Sequence, residues 1–115
     1  MAVSGAYTVT GNTIKLTAAT SAPAPVQCTS VTLGGNQYRV INASTTQGCF
    51  LSFAADAATA TSNCVIPTGA GASSSRTLYI LPSTDEIITF IPNAYFTAIT
   101  SANTADLYIS PGDGI

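Results

Sequence analysis

The sequence contains no histidine and no tryptophan, and only three of its 115 residues are basic. Without histidine, the chain cannot form a Ser-His-Asp or Cys-His catalytic group, or a zinc site with imidazole ligands. Gly69-Ala70-Gly71 lacks the lysine of a phosphate-binding loop, and Asp106 and Asp113 are too isolated to predict a calcium site. The composition therefore predicts a protein that is not an enzyme and that holds no cofactor or metal ion.

Charge is scarce throughout the chain. Charged residues make up 7% of the sequence, whereas an ordinary soluble domain has roughly 25%. Three basic residues are too few for a positive patch that binds nucleic acid or an acidic membrane surface. No apolar run approaches the ~20 residues of a membrane-spanning helix, and the first residues resemble no secretory signal. We therefore expect synthesis in a cytosol, no nucleic-acid or membrane partner, and a weakly hydrated surface that suits contact with other proteins.

The three cysteines are Cys28, Cys49 and Cys64. Their number is odd and no pair has Cys-x-x-Cys spacing, so the pattern indicates neither a disulfide framework nor a metal site. The favoured interpretation is that they are small buried hydrophobic residues in a reducing compartment. A disulfide between Cys49 and Cys64 is the alternative.

The segment Arg76–Ile115 contains four short apolar and aromatic runs separated by turn residues such as Pro82-Ser83 and Pro92-Asn93. Strand-length runs punctuated in this way predict an antiparallel meander, which we expect to form the main sheet of a small β-sandwich. The runs are Thr77–Leu81, Glu86–Ile91, Tyr95–Thr100 and Ala105–Ser110. The residues expected in the core are Ile80, Ile88, Phe90, Phe96, Ile99 and Leu107.

Two earlier pairs of runs predict hairpins that supply the opposing sheet, because each pair flanks a turn rich in glycine and asparagine. The first pair is Ala6–Thr10 and Thr13–Thr17 around Gly11-Asn12; the second is Val26–Leu33 and Gln37–Asn42 around Gly34-Gly35-Asn36. Within Gln37–Asn42, alternation places Tyr38, Val40 and Asn42 on one face.

The remaining segments connect these runs. Ala18–Pro25 is predicted to be an exposed connection or an arm along a sheet edge, because proline cannot donate to a strand ladder. Gly48–Ala54 is densely apolar, which predicts a strand that is buried on both faces or meets a partner. Asp56–Ser75 is predicted to be the least structured stretch, a flexible loop at about 55–75. Residues 1–115 are predicted to form one all-β domain, an antiparallel β-sandwich of jelly-roll-like type.

Several of these segments resemble the small decoration, or cement, proteins of tailed bacteriophages. The resemblance lies in Tyr79-Ile80-Leu81-Pro82, Asp85–Phe90, Tyr95–Thr100 and Ala105–Ile115, and in Tyr38–Asn42 followed by Cys49–Phe53. It implies a β-sandwich or jelly-roll fold, dimers or trimers on the capsid exterior, contacts that clamp neighbouring major capsid proteins, and no catalytic residues. Ala54–Ser75 departs from the family pattern.

We therefore expect a structural virion protein that binds the phage major capsid protein on the shell exterior and bridges neighbouring subunits. It would be made in the host cytoplasm and would form a homo-oligomer, a trimer in preference to a dimer. The alternatives are a fibre-base or tail-associated β module that binds glycan or another virion protein, and a pilus-like adhesion subunit, against which the lack of a signal sequence counts. The candidate interface residues are Tyr7, Arg39, Tyr95, Tyr108, Pro111, Asp113 and Ile115.

Two expectations concern particular interface residues. Arg39 is predicted to be either a solvated side chain or one half of an intersubunit ion pair, since Arg suits bidentate contacts with carboxylates. Pro111–Ile115 is predicted to be a short closing turn at a subunit contact. Deletion of Gly112–Ile115 is then expected to weaken assembly more than folding.

Overall fold

The computed structural model describes residues 7–31, 36–68 and 75–113. Within these ranges the chain forms two antiparallel sheets that pack face to face, which confirms the all-β sandwich. The elements are β1 Thr8–Val9, β2 Ile14–Ala18, β3 Val26–Gln27, β4 Gln37–Asn42, β5 Cys49–Ala54, α1 Ala57–Asn63, β6 Leu78–Ile80, β7 Asp85–Thr89, β8 Tyr95–Ile99 and β9 Ala105–Asp113.

The four C-terminal strands lie close to their predicted positions, but the predicted meander is wrong. β7 and β9 belong to the larger sheet, where β4 lies between them, while β6 and β8 belong to the smaller sheet on either side of β5. β1 and β2 pair with the free side of β9, and β3 pairs with β8. Each connection from β6 to β9 therefore crosses from one sheet to the other.

The three crossing turns share one backbone feature that explains why the predicted meander is wrong. Each contains a left-handed residue, with φ of 58° at Ser83, 61° at Asn93 and 59° at Asn103. Short polar side chains tolerate this region better than most residues. A proline followed by a left-handed residue, as at Pro82 and Pro92, fits the centre of a type II turn, whereas two-residue hairpins favour types I′ and II′. These turns redirect the chain instead of folding it back on its neighbour.

The first predicted hairpin is also wrong, because β1 and β2 follow one another along β9. Val9 lies opposite Gly112 and Ile14 opposite Ile109, so the chain bulges between them. The bulge carries Gly11 against the 28–31 segment, where an added Cβ would lie 2.0 Å from the carbonyl oxygen of Thr29. Gly11 therefore serves a close backbone approach and not a hairpin turn.

The second predicted hairpin is wrong as well, since β3 and β4 lie in different sheets; Gly34 and Gly35 lie outside the described residues. The predicted alternation in β4 is confirmed, because Tyr38, Val40 and Asn42 are buried. Ala18–Pro25 is the predicted edge arm. The carbonyl oxygen of Ala19 accepts from Thr100 N at 2.9 Å, and that of Pro23 accepts from Thr97 Oγ1 at 2.7 Å.

The core lies between the sheets and centres on Tyr38 and Phe96, whose rings meet edge to face with centroids 4.8 Å apart. Ile80, Phe96 and Leu107 are fully buried, and Ile88 and Phe90 pack against the core, so these five predictions are confirmed. The prediction for Ile99 is wrong. It is half-buried, because odd-numbered residues of β8 face away from the other sheet.

The stretch predicted to be least structured contains the helix α1. Asp56 caps it, since one carboxylate oxygen accepts from Thr59 N at 3.0 Å. Ala60 is fully buried, and its carbonyl oxygen accepts from Ser52 Oγ at 2.8 Å. The helix thus covers the outer face of β5 at Ser52, so this part of the strand is buried on both faces as predicted, whereas Phe50 on the same outer face is half-buried. Residues 69–74 of the predicted flexible loop lie outside the described residues.

Candidate interaction edge

β6 and β7 are the outermost strands on the same side of the two sheets, and residues 81–84 join them. Nine large hydrophobic side chains are exposed in the described part of the chain, and five of them lie within residues 78–91. Each of these five is between 37% and 58% exposed. We call this group the apolar edge; it comprises Leu78, Tyr79, Leu81, Ile87 and Ile91. Exposed apolar groups concentrated in this way mark interaction surfaces more often than isolated ones.

Strand alternation explains why these side chains are exposed. Tyr79 lies opposite Phe50 on the outer face of the smaller sheet, and Ile87 lies opposite Arg39 on the outer face of the larger sheet. Among the described residues, β6 and β7 each have a hydrogen-bonded neighbour strand on one side only, so the other side leaves backbone groups available. Glu86 lies opposite the buried Val40 and therefore projects from the inward face of an edge strand, a placement that disfavours uncontrolled pairing.

Arg39 is paired within the chain, which neither sequence interpretation anticipated. Its Nε and Nη2 donate to Asp85 Oδ2 at 3.1 Å and 2.8 Å, across the β4–β7 ladder. Lys15 lies 3.8 Å from Asp106 on the same outer face of the larger sheet. Two of the three basic side chains are thus neutralised by the protein's own carboxylates.

Tyr7 is fixed over the same outer face. Its hydroxyl donates to the Ser110 carbonyl at 2.6 Å and accepts from Arg39 N at 3.1 Å, while its ring lies against Gly112. Partial burial raises the pKa of Tyr7. Tyr108 is exposed on this face opposite Ile41. Three of the predicted interface residues, Tyr7, Arg39 and Tyr108, therefore share one face of one sheet.

The other four predicted interface residues do not join them. Tyr95 is half-buried on the outer face of the smaller sheet, Asp113 is exposed at the end of β9, and Ile115 lies outside the described residues. Pro111 is buried, because odd-numbered residues of β9 face the core, and so offers no surface to a partner. The predicted closing turn is wrong for the same segment: residues 111–113 continue β9 and pair with β1 and β4.

All three cysteines are free and buried, which confirms the part of the favoured interpretation that makes them small buried residues. Burial raises the pKa of Cys28 and of Cys49 to about 12, and that of Cys64 to about 11. Thiols with such pKa values remain protonated and unreactive at neutral pH.

A cleft with a volume of about 540 Å³ opens beside the apolar edge, between α1 and the start of β6. Phe53, Phe90 and Leu78 supply its apolar wall, and Asp56 and Arg76 lie on its rim. Two local sequence features lie at this cleft: Phe90 is an aromatic residue directly after a strand, and Arg76 is a lone arginine just before β6. Neither could be placed without the sheet crossing.

Among the described residues, no group of three or more Cys, Asp and Glu side chains is close enough to hold a metal ion. No helix in the described ranges is long and apolar enough to cross a membrane. Comparisons with protein-family models, with curated proteins and with solved structures found no match.

Proposed function

We propose that this protein is a capsid decoration protein of a tailed bacteriophage, which binds the exterior of the major capsid shell and stabilises it by bridging neighbouring subunits. It acts through surface contact and carries out no reaction. The sequence resemblance supplies the class of partner, and the apolar edge is the observation that carries the proposal.

The apolar edge suits a contact between proteins for two physical reasons. Its partly exposed Leu, Ile and Tyr side chains gain free energy when a partner removes them from water, roughly 25 cal/mol per Å² of apolar surface. It also includes two strand margins whose backbone groups can accept a further strand. A stable contact between two proteins buries ~1,200–2,000 Å² in total, and many copies on one shell add their contributions.

The distribution of charge supports the same proposal. Arg39 and Lys15 are paired with Asp85 and Asp106 on the outer face of the larger sheet. A partner at the apolar edge therefore meets no unpaired cation among the described residues on the neighbouring outer face of the larger sheet. Most of the remaining surface carries hydroxyl, amide and methyl groups, which cost less to remove from water than charged groups do.

The proposal predicts that acidic substitutions on the apolar edge will abolish capsid binding without unfolding the protein. Capsids assembled without this protein are mixed with the purified wild type or with an Ile87→Asp, Ile91→Asp variant, and cosedimentation is measured. We expect the wild type to bind and the variant to bind at least ~10-fold more weakly, since a buried unpaired carboxylate costs several kcal/mol.

The matched control is Val9→Asp, which makes the same kind of change at an exposed position on the opposite margin of the larger sheet. We expect this control to bind as the wild type does. Cryo-electron microscopy of the decorated shells should then show added density outside the capsid. Undecorated shells at saturating wild-type protein would contradict the proposed function.

The proposal also includes assembly as a homo-oligomer, with a trimer favoured over a dimer, on the exterior of the virion. Threefold contacts between shell subunits would let each copy present its apolar edge to a different capsid protein. Native mass spectrometry of the free protein tests this part, and a monomer at all concentrations would contradict it.

A second candidate, a tail-associated module that binds glycan, is favoured by one local observation. The Tyr79 and Phe50 rings pack with centroids 4.7 Å apart, and Tyr79 is exposed, so the pair offers an aromatic surface of the kind on which sugar rings stack. A glycan array separates the two candidates. Binding that Tyr79→Ala removes would support the second one.

A further inference from the structure

The cleft beside the apolar edge has the size and lining of a binding site. Its volume of about 540 Å³ lies within the range of roughly 300–1,000 Å³ that ligand sites occupy. The Phe53 and Phe90 rings meet edge to face, with centroids 5.0 Å apart, and both line the cleft. Leu78 continues this surface outward to the apolar edge.

These apolar groups are large, so they match a large apolar side chain and not a small polar one. The adjacent segment of the protein itself, residues 69–74, consists only of Gly, Ala and Ser. It has no side chain that could replace a leucine or phenylalanine against two aromatic rings. This segment therefore does not supply the large apolar group that the cleft matches.

The rim of the cleft supplies the second element of recognition. Arg76 is exposed there and forms no ion pair within the described residues, in contrast to Lys15 and Arg39. The Asp56 carboxylate on the same rim already accepts from the backbone N and the Oγ1 of Thr59. Arg76 is thus the available charge, and a planar guanidinium binds carboxylates best.

The strands beside the cleft supply the third element. β6 and β7 border the open side of the sandwich, and each has one free margin in the described part of the chain. An extended segment can lie along such a margin through backbone hydrogen bonds, with alternate side chains directed into the space between the sheets.

We infer that the cleft receives a large apolar side chain from an extended segment of the bound protein, with a carboxylate of the same segment next to that side chain and paired with Arg76. This inference rests on the proposed function for the identity of the partner. It adds a sequence requirement on that partner: an aliphatic or aromatic residue beside an aspartate or glutamate, in a segment without helical structure.

A displayed library of random peptides tests the inference without any capsid. Selection on the wild-type protein should enrich peptides in which Phe, Leu or Ile stands beside Asp or Glu. Selection on Arg76→Glu should enrich Lys or Arg at the acidic position, and Arg76→Glu should bind the wild-type peptides ~10-fold or more weakly, because attraction becomes repulsion. Leu78→Asp should lose them altogether.

Lys15→Glu is the control, since it reverses the same charge on a face away from the cleft. It should select the same peptides as the wild type. Peptides that share no apolar–acidic pattern, or a pattern that Arg76→Glu leaves unchanged, would overturn the inference. Circular dichroism of each variant distinguishes loss of binding from loss of fold. We expect Arg76→Glu and Leu78→Asp to remain folded, because both side chains are exposed.

Capsid cosedimentation of the same variants separates this inference from the proposed function. Reduced binding of Arg76→Glu and Leu78→Asp, with Lys15→Glu unaffected, supports both. Equal binding of the wild type and all variants overturns the cleft as an anchor and leaves decoration intact. If the wild type itself fails to bind shells, the proposed function fails and the peptide selection alone decides the cleft.

Discussion

At the scale of single residues, the hydroxyl group of Tyr38 holds the crossing between β7 and β8 onto the core. It donates to the Ile91 carbonyl at 2.6 Å and accepts from Ala94 N at 3.1 Å. Tyr38→Phe would remove the hydroxyl partner of the buried Ala94 N–H and of the part-buried Ile91 carbonyl. We expect the free energy of unfolding to fall by ~1–3 kcal/mol, measured by urea denaturation.

Tyr79→Phe is the matched control for this prediction. It removes the same atom from a tyrosine that is exposed at the apolar edge, so the phenol is in contact with water in the wild type. We expect a change within about 0.5 kcal/mol. Equal effects at the two positions would show that the Tyr38 hydroxyl does not secure the crossing.

The buried thiols make a second prediction, which concerns alkaline pH. Well below the ordinary thiol pKa of about 8.5, the three thiols are protonated in both the folded and the unfolded chain. Above pH 9, the unfolded chain loses these protons, while burial keeps the pKa of Cys28 and Cys49 at about 12 and that of Cys64 at about 11. Because the folded state then binds more protons, stability falls as pH rises, by roughly 1.4 kcal/mol per pH unit for each thiol.

Denaturation midpoints measured from neutral pH to pH 10.5 check this slope. A variant with alanine at all three positions should lose stability at neutral pH, because small buried side chains are removed, yet show a shallower alkaline decline. Part of the alkaline loss of stability should remain in both proteins, because burial also raises the pKa values of Tyr7 and Tyr38. Identical alkaline slopes would mean that the thiols are not protected by burial.

At the scale of elements, the end of β9 is a structural strand. Residues 111–113 pair with β1 on one side and β4 on the other. Because Gly112 has no side chain, the Tyr7 ring can pack directly against it. A methyl group at position 112 would lie 2.3 Å from Tyr7 Cζ. We therefore expect loss of Gly112–Ile115 to weaken folding, and not mainly assembly as the sequence alone predicts.

We now expect Gly112→Ala to lower the free energy of unfolding by ~1–3 kcal/mol, the usual cost of overpacking. Deletion of residues 112–115 should cost at least as much, because it also removes ladder hydrogen bonds. Asp113→Ala, at the exposed neighbouring position, is the control and should change stability by less than about 0.5 kcal/mol. Unfolding curves unchanged by the deletion would restore the assembly role.

The strands could be predicted from the sequence, whereas their partners could not. Alternation in 37–42 and the apolar run at 49–54 are local patterns, and both strands lie there. Pairing depends on where a turn sends the chain, and the sequence Gly11-Asn12 is compatible with a hairpin and with a bulge. The choice is made by the distant Thr29 and Pro111, which pack against Gly11. Helix α1 could not be predicted from the sequence, because its one buried residue is Ala60 and the segment has no helical repeat of apolar residues.

At the scale of the whole molecule, the candidate site is a product of the sheet crossing. Tyr79 and Ile87 are separated by a turn that a meander would place within one sheet. In the sandwich they lie on the margins of two different sheets, with Leu78 and Phe90 lining the cleft beside them. Low charge and abundant apolar residues predicted a surface made for contact. They did not indicate where on the surface the contact lies.

The internal pairing of Lys15 and Arg39 also governs how fast the protein meets its partner. Two cations held 3.8 Å and 2.8 Å from carboxylates leave little electric field beyond the face that carries them, and a net charge of −2 over the whole chain adds only weak steering to diffusion. We expect an association rate constant near the unsteered range of ~10⁵–10⁶ M⁻¹s⁻¹ that changes little with salt, measured by stopped-flow fluorescence on capsids. A steep decline with ionic strength would contradict this. If the rate constant changes little with salt, as we expect, decoration proceeds at a similar rate at low and at high ionic strength, and the frequency of collisions limits it.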